Sequence, residues 1–205
     1  MLFVAISDTH GYHDRLEVPD GDVLIHGGDL TKHGRLEDVE AFDRWLAGLP
    51  HRHKIVIAGN HDFCFQHRPR EARALLRHAI YLEDRAVEVE GVKFYGSPWQ
   101  PEFFDWAFNL PRGPALAAVW AKIPDDTQVL ITHGPPLGIG DLTHRGPHVG
   151  CEDLLRRVRQ VRPRLHVFGH IHEAAGRFDV DGTIFVNASI FGGGKPIVIE
   201  WEGCR

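Results

Sequence analysis

Five short apolar runs in this chain each lead to a side chain able to bind a metal: residues 2–6, 23–25, 55–58, 129–131 and 165–168. They run into Asp8-Thr9-His10, Gly28-Asp29, Gly59-Asn60-His61-Asp62, His133 and Gly169-His170-Ile171-His172. A short apolar run bounded by turn residues reads as a buried strand. In α/β sheets, ligands gather beyond the carboxyl ends of such strands. Strand ends that all deliver carboxylate, amide or imidazole predict a fold in which those ends meet at one site.

The chain has 205 residues, which suits one α/β domain over 1–205 with a sizeable core. No apolar stretch approaches the roughly 18 residues needed to cross a bilayer. The first apolar run has no basic flank and goes straight into Asp8, so it reads as a first strand and not a signal peptide. Cys64, Cys151 and Cys204 are not closely paired, which points to a reducing, cytoplasmic setting and no disulfide framework. A formal charge of -5 argues against general avidity for nucleic acid, so a small-molecule substrate is expected. The oligomeric state is open, with a homodimer the candidate considered.

The order of elements follows from periodicity. Leu36, Val39, Phe42 and Leu46 fall at helical spacing, with Gly48 as a stop. Pro69 opens a second helix carrying Ala72, Leu75, Leu76 and Ala79. Residues 87–94 read as two strands around a turn at Glu90-Gly91. The stretch 97–114 is rich in Pro and aromatics and reads as irregular, with its rings in core and loop packing. A helix follows near 114–122. The glycine- and proline-rich stretch 134–150 is a long loop, and such loops are usually functional. Cys151, Leu154, Leu155 and Val158 then mark an amphipathic helix, and strands at 176–180, 183–186 and 197–201 close the chain. Strands and helices alternate early and hairpins come late, which predicts a mixed sheet or two stacked sheets with helices outside.

The candidate ligands are Asp8, His10, Asp29, Asn60, His133, His170 and His172. In Asp8-x-His10 and His170-x-His172 the i, i+2 spacing puts both side chains on one side of an extended segment. Mixed nitrogen and oxygen ligation without thiolate suits Mn, Fe, Co, Ni or Zn in a catalytic setting, and argues against a closed structural zinc site. The set is too large for one ion and suits two. Two metals ~3.5–4 Å apart are a general arrangement for phosphoester hydrolysis. His61, beside Asn60, is the candidate general acid for the departing alkoxide, with Asp62 as its orienting partner. His33, His144 and His148 are the candidate substrate contacts. Cys64 reads as a buried, inert thiol. Gly192-Gly193-Gly194-Lys195-Pro196 only superficially resembles a phosphate loop, because Pro196 stands where Ser or Thr would bind magnesium.

In order and spacing these motifs resemble the signature of calcineurin-like metallophosphoesterases. More narrowly, Tyr95-Gly96-Ser97-Pro98-Trp99, residues 108–113, 132–138 and 162–173 resemble the metallophosphodiesterase-domain proteins first noted in mammalian brain. The resemblance implies an αββα sandwich of two mixed β-sheets flanked by helices, a binuclear site, and phosphodiesterase activity that includes 2′,3′-cyclic nucleotides. It implies that Asp8, His10 and His172 hold one metal, that Asn60, His133 and His170 hold the other, and that Asp29 bridges. Manganese is the first expectation and iron the second. Serine/threonine phosphatases of the superfamily place an arginine in each of the second and third motifs, where this chain has His33 and Cys64. Arginine is the usual bidentate clamp for a phosphate dianion, so its loss favours diesters over monoesters. The competing expectations are a nuclease acting on RNA or DNA ends, a phosphomonoesterase, and a non-catalytic scaffold of the same fold.

Overall fold

A computed structural model describes residues 1–202. One sheet holds β1 (Leu2–Ile6), β2 (Val23–His26), β3 (His53–Val56), β4 (Ile80–Tyr81) and β13 (Ile197–Glu200), in the order β13-β1-β2-β3-β4. The other holds β5 (Arg85–Val89), β6 (Val92–Ser97), β9 (Val129–Thr132), β10 (Leu165–Phe168), β11 (Gly176–Val180) and β12 (Thr183–Asn187), in the order β11-β12-β10-β9-β6-β5. A short pair, β7 (Gln100–Pro101) and β8 (Asn109–Leu110), stands apart. The helices are α1 (Leu36–Ala47), α2 (Phe63–His67), α3 (Pro69–Leu75), α4 (Pro114–Trp120) and α5 (Glu152–Val161).

The inner strands of both sheets run parallel, and β13, β5 and β11 are antiparallel edges or returns. Strands covered on both faces need apolar side chains on both, which is why the inner runs are continuous rather than alternating. Phe3, Ala5, Ile25, Ile55 and Ile57 face Phe94, Val129, Ile131 and Val167 between the sheets. The opposite faces, Val4, Ile6, Leu24 and Val56, lie under Val39, Phe42, Leu46 and Phe65 of the α1 and α2 layer. Tyr95, Leu130 and Phe185 of the second sheet lie under Leu116, Trp120, Leu154 and Val158 of α4 and α5. The result is the helix–sheet–sheet–helix sandwich expected from the family resemblance. No helix of the described residues is long and apolar enough to cross a membrane.

Three local features differ from the sequence reading. The second helix stops at Leu75 rather than running through Ala79. Asp43 Oδ1 accepts the N–H groups of Arg77 and His78 at 2.7 and 2.8 Å, which ends the helical ladder and frees the chain to enter β4. The one-and-a-half-turn helix α2 has no periodic signal, being too short to show one. The aromatic stretch divides: Phe108 is buried and Trp99 packs on the core, but Phe103 and Phe104 are 51% and 71% exposed. Cys204 lies outside the described residues.

Phe3 meets Phe94 at 5.6 Å and stacks on Trp201 at 5.1 Å, so this trio joins the two sheets. Phe94→Ala should cost about 3–5 kcal/mol, read as a lower denaturant midpoint with an unchanged m-value. A loss below about 1 kcal/mol would mean that the inter-sheet core closes around the hole.

Candidate metal centre

Parallel pairing puts the carboxyl ends of β1, β2 and β3 at one edge, and the ends of β9 and β10 at the same end of the second sheet. The two edges are sewn together. The His133 ring meets the Gly27 carbonyl at 2.9 Å, and the backbone N–H of His170 donates to Asp8 Oδ1 at 3.1 Å. Such closeness needs missing side chains. A Cβ on Gly28 would sit 2.7 Å from the Ala58 carbonyl oxygen, and one on Gly59 would sit 2.6 Å from His133 Cε1.

The expected ligands do not lie on extended segments. Asp8, His10, Asp29 and His170 take φ values of 57, 43, 56 and 67°. Asp and His tolerate this left-handed region better than most residues. Left-handed turns, not the strand pleat, therefore aim these side chains inward, and His172 follows at the start of a 3₁₀ turn.

The turns bring most of the set into contact. His172 Nε2 lies 3.3 Å from Asp8 Oδ1 and 3.4 Å from His10 Nε2. His10 Nε2 is 3.7 Å and His133 Nε2 3.5 Å from the same Asp29 oxygen, Oδ2. Asn60 Oδ1 is 2.7 Å from His133 Nε2. The His170 ring stands 5.0 Å from that of His133, while the backbone N–H of His170 donates to Asp8 at 3.1 Å. Asp29 is thus the shared member, touched by an imidazole from each side. His61 joins the same cluster: its ring is 4.6 Å from His10, and its N–H donates to Asp29 Oδ1 at 2.7 Å.

The electrostatics fit cations. Asp8 and Asp29 are fully buried, which by itself would raise their pKa values. The hydrogen bond from His172 and the positive imidazoles nevertheless hold Asp8 well below the usual carboxylate range, and the charge and hydrogen bond of His133 lower Asp29. Burial would lower His133, yet the Asp29 charge overrides it and lifts the imidazole to about 9. If His133 Nδ1–H donates to Gly27, its Nε2 must carry a second proton to face Asn60 Oδ1 and Asp29 Oδ2. Those atoms are acceptors, so the position of that proton is one that a metal cation fits. His170 carries no such load and is lowered to about 3, first by burial.

Two further histidines brace the ligand loops from below. Gly28 N–H donates to His26 Nδ1 at 3.2 Å, so Nε2 carries the proton and donates to Thr9 Oγ1 at 3.0 Å. The Thr132 hydroxyl donates to the Gly134 carbonyl at 2.8 Å, so His166 Nε2 donates to Thr132 at 2.8 Å. Burial pushes both rings down to about 3, and both are neutral in the fold.

Asp62 is not the partner of the His61 ring. Its buried carboxylate accepts from Gly59 N, Leu30 N, Thr31 N and the Thr31 hydroxyl, tying the loops after β2 and β3 together. Burial, with the Asp29 charge second, raises it to about 7. His61 Nδ1 pairs instead with the Lys32 carbonyl at 3.0 Å. Cys64 is a buried thiol whose pKa burial pushes up to about 12.

Beside His170 and His172 lies a cleft of about 400 Å³, lined by Phe103, Trp106, Arg112, Thr143, Val149 and Glu173 among others. His33, His144 and His148 are exposed and do not line it. The His148 ring is held at 2.6 Å by buried Asp141, and the backbone N–H of His144 donates to Glu173, while their neighbours Thr143 and Val149 line the cleft. Trp106 stands 4.9 Å from His61 and bounds the cleft, a role hidden in the sequence within an aromatic stretch. Arg112 donates both terminal nitrogens to the Gly150 and Val149 carbonyls at 2.7 Å, fixing the loop after β9. In the sequence that arginine falls within the 108–113 stretch of the family resemblance, which gives it no particular contact.

The family model for calcineurin-like phosphoesterases matches residues 1–174, and the chain belongs to that family. The family is one of phosphoester hydrolases that use divalent metals. The chain is 46% identical over 213 residues to human metallophosphoesterase domain-containing protein 1, covering 92% of this chain and 65% of the human protein. It therefore spans slightly less than two thirds of that relative's length. A UPF0046 protein of Caenorhabditis elegans is 40% identical over 210 residues, covering 92% of this chain and 74% of the worm protein. Among solved structures, the protein TT1561 of Thermus thermophilus aligns with a TM-score of 0.63 at 18% identity, over 91% of this chain and 88% of that one. A structure described as a novel archaeal phosphodiesterase aligns at 0.53 and 16% identity, over 98% and 93%. At these identities the likeness is one of fold.

The buried histidines set an acid limit. An imidazole whose folded pKa is depressed stabilises the fold above its unfolded pKa of about 6.5, and that contribution is lost as pH falls toward the folded value. Between pH 6.5 and 4, stability measured in chelator should fall, and more gently in His166→Phe. The slope difference should approach about 1.4 kcal/mol per pH unit. Equal slopes would mean that His166 is protonated in the fold.

Proposed function

We propose that this protein is a binuclear metal-dependent phosphodiesterase that hydrolyses small phosphodiesters, 2′,3′-cyclic nucleotides and aryl diesters among them. The observation that carries the reading is Asp29 Oδ2 lying between two imidazoles, within a buried cluster that opens onto an apolar cleft. Asp8, His10 and His172 would hold one cation, Asn60, His133 and His170 the other, with Asp29 shared. Bound there, divalent cations polarise a phosphoryl group and acidify water. Manganese or iron suits the mixed imidazole and carboxylate set, with nickel, cobalt and zinc as alternatives.

The chain's own groups supply the rest. With Nδ1–H held by the Lys32 carbonyl, His61 can act as the acid only as the imidazolium, which carries a second proton on Nε2 toward the departing oxygen. As the oxygen of water bonds to phosphorus and a P–O ester bond breaks, the leaving alkoxide takes the Nε2 proton, and a proton released by the attacking water restores the imidazolium. Trp106 covers His61 on the cleft side and shields the transfer from bulk water. The preference for a diester rests on charge. Arg112 is the arginine that lines the cleft, and its guanidinium is engaged on two backbone carbonyls, so the cleft offers no free clamp for a phosphate dianion. Free buried thiols at Cys64 and Cys151 accord with a cytoplasmic setting. The acidic balance accords with a small-molecule substrate rather than stable nucleic-acid binding.

Chelation should abolish hydrolysis of an aryl phosphodiester, and Mn²⁺ should restore it; activity that persists in the fully chelated protein would remove the metal reading. His61→Ala should slow a cyclic nucleotide by ~10²–10⁴-fold and an activated aryl diester far less. Equal losses on both substrates would show that His61 is not the acid.

A further inference from the structure

A second depression lies on the other side of the centre. Its volume is about 370 Å³, and Thr9, Tyr12, Arg15, Phe191 and the turn at Gly192 to Gly194 line it. Phe191 is the partition between the two: its ring is 5.0 Å from His10 and 4.8 Å from His172, and His172 itself lines the apolar cleft. The floor at Thr9 is the residue between Asp8 and His10, so this depression starts at the ligands themselves.

Its chemistry differs from that of the cleft. The Arg15 guanidinium lies 5.2 Å above the Tyr12 ring, and Lys32 Nζ lies 6.0 Å from the same ring. Both cations are exposed, and neither is in an ion pair among the described residues; the neighbouring carboxylate of Asp14 faces His13 at 3.9 Å. Tyr12, which lines the depression, thus has two positive side chains within 6.0 Å of its ring, and one of them, Arg15, lines the depression with it. The opposite wall is bare backbone: Gly192 and Gly193 have φ values of 78 and 104°, and a Cβ on either would meet nothing within 4 Å. That leaves room for a bulky polar group to approach the main chain.

We propose that this depression is a subsite for a second phosphate carried on one arm of the substrate. A diester has two arms, and the centre has a receptacle on each side of Phe191: an aromatic, mainly apolar cleft and a cationic pocket. Among the small diesters the centre would accept, the preferred class is then a nucleotide diester with a further phosphate on its ribose, ahead of a plain aryl diester or cyclic monophosphate. The metal centre holds the scissile group, the cleft takes the base, and Arg15 with Lys32 takes the distal phosphate. The subsite deepens the phosphodiesterase reading and rests on it.

The test is equilibrium binding to the Mn²⁺-loaded protein, which needs no turnover. Adenosine 3′,5′-bisphosphate should bind about tenfold more tightly than adenosine 3′-monophosphate or 5′-monophosphate. In the double variant Arg15→Ala, Lys32→Ala that advantage should shrink to near unity, and in the wild type it should fall as salt is raised. Thermal melting of the variant reports whether it is folded; a single Lys32→Gln change should give an intermediate ratio. Equal affinity for the mono- and bisphosphates, or an advantage that survives the double variant, overturns the subsite. Hydrolysis of an aryl diester is followed in parallel. If it is absent while the bisphosphate advantage holds, the diesterase reading fails and the subsite stands.

Discussion

Two carboxylates, Asp8 and Asp29, are buried together with almost no access to water, and the rest of the site is organised around that charge. Unpaired buried anions are costly, so a stable fold must surround them with positive charge or hydrogen-bond donors. This chain does both. Imidazoles of His10, His133 and His172 converge on the carboxylate oxygens, and backbone N–H groups of His61 and His170 donate to them. The high proton affinity of His133 is the same demand seen from the imidazole side. Metal binding satisfies it more completely than protons can, because one cation can face several acceptor atoms at once.

Asp62 extends the arrangement one layer outward. Its four hydrogen bonds go to the loops that carry Asp29 and Asn60, so it sets the distance between ligands without being one. His26 and His166 work in the same way beneath the loops of Asp8 and His133, each held neutral in a single tautomer by its partners. Together they hold left-handed ligand residues in a sparsely populated backbone region that packing must maintain.

Much of this is legible in the chain. Strand ends carrying carboxylate, amide and imidazole locate the site, because parallel strands deliver their carboxyl ends to one edge. The layers follow from continuous apolar runs, which only strands covered on both faces require. Other features leave no trace. An i, i+2 spacing is compatible with both an extended segment and a left-handed turn, so the pleat argument puts Asp8 and His10 together for a reason that the backbone does not use. Asp62 next to His61 suggests a pair, but adjacent residues at a sharp turn point to opposite sides. His144 and His148 stand out by residue type, whereas the wall of the cleft is built by Thr143 and Val149, and buried Asp141 holds the His148 ring. The place of Phe191 and the two carbonyls that Arg112 holds depend wholly on tertiary contacts.

The ligands come from both sheets: Asp8, Asp29 and Asn60 follow strands of the first, and His133 and His170 follow strands of the second. A cation seated among them would therefore act as a fastener across the mid-plane of the sandwich, at the end opposite the strand starts. Sliding of one sheet against the other would then register directly as a change in metal affinity. Metal occupancy in such a molecule reports the alignment of its two halves, and a substitution deep between the sheets could loosen the metal without touching a ligand.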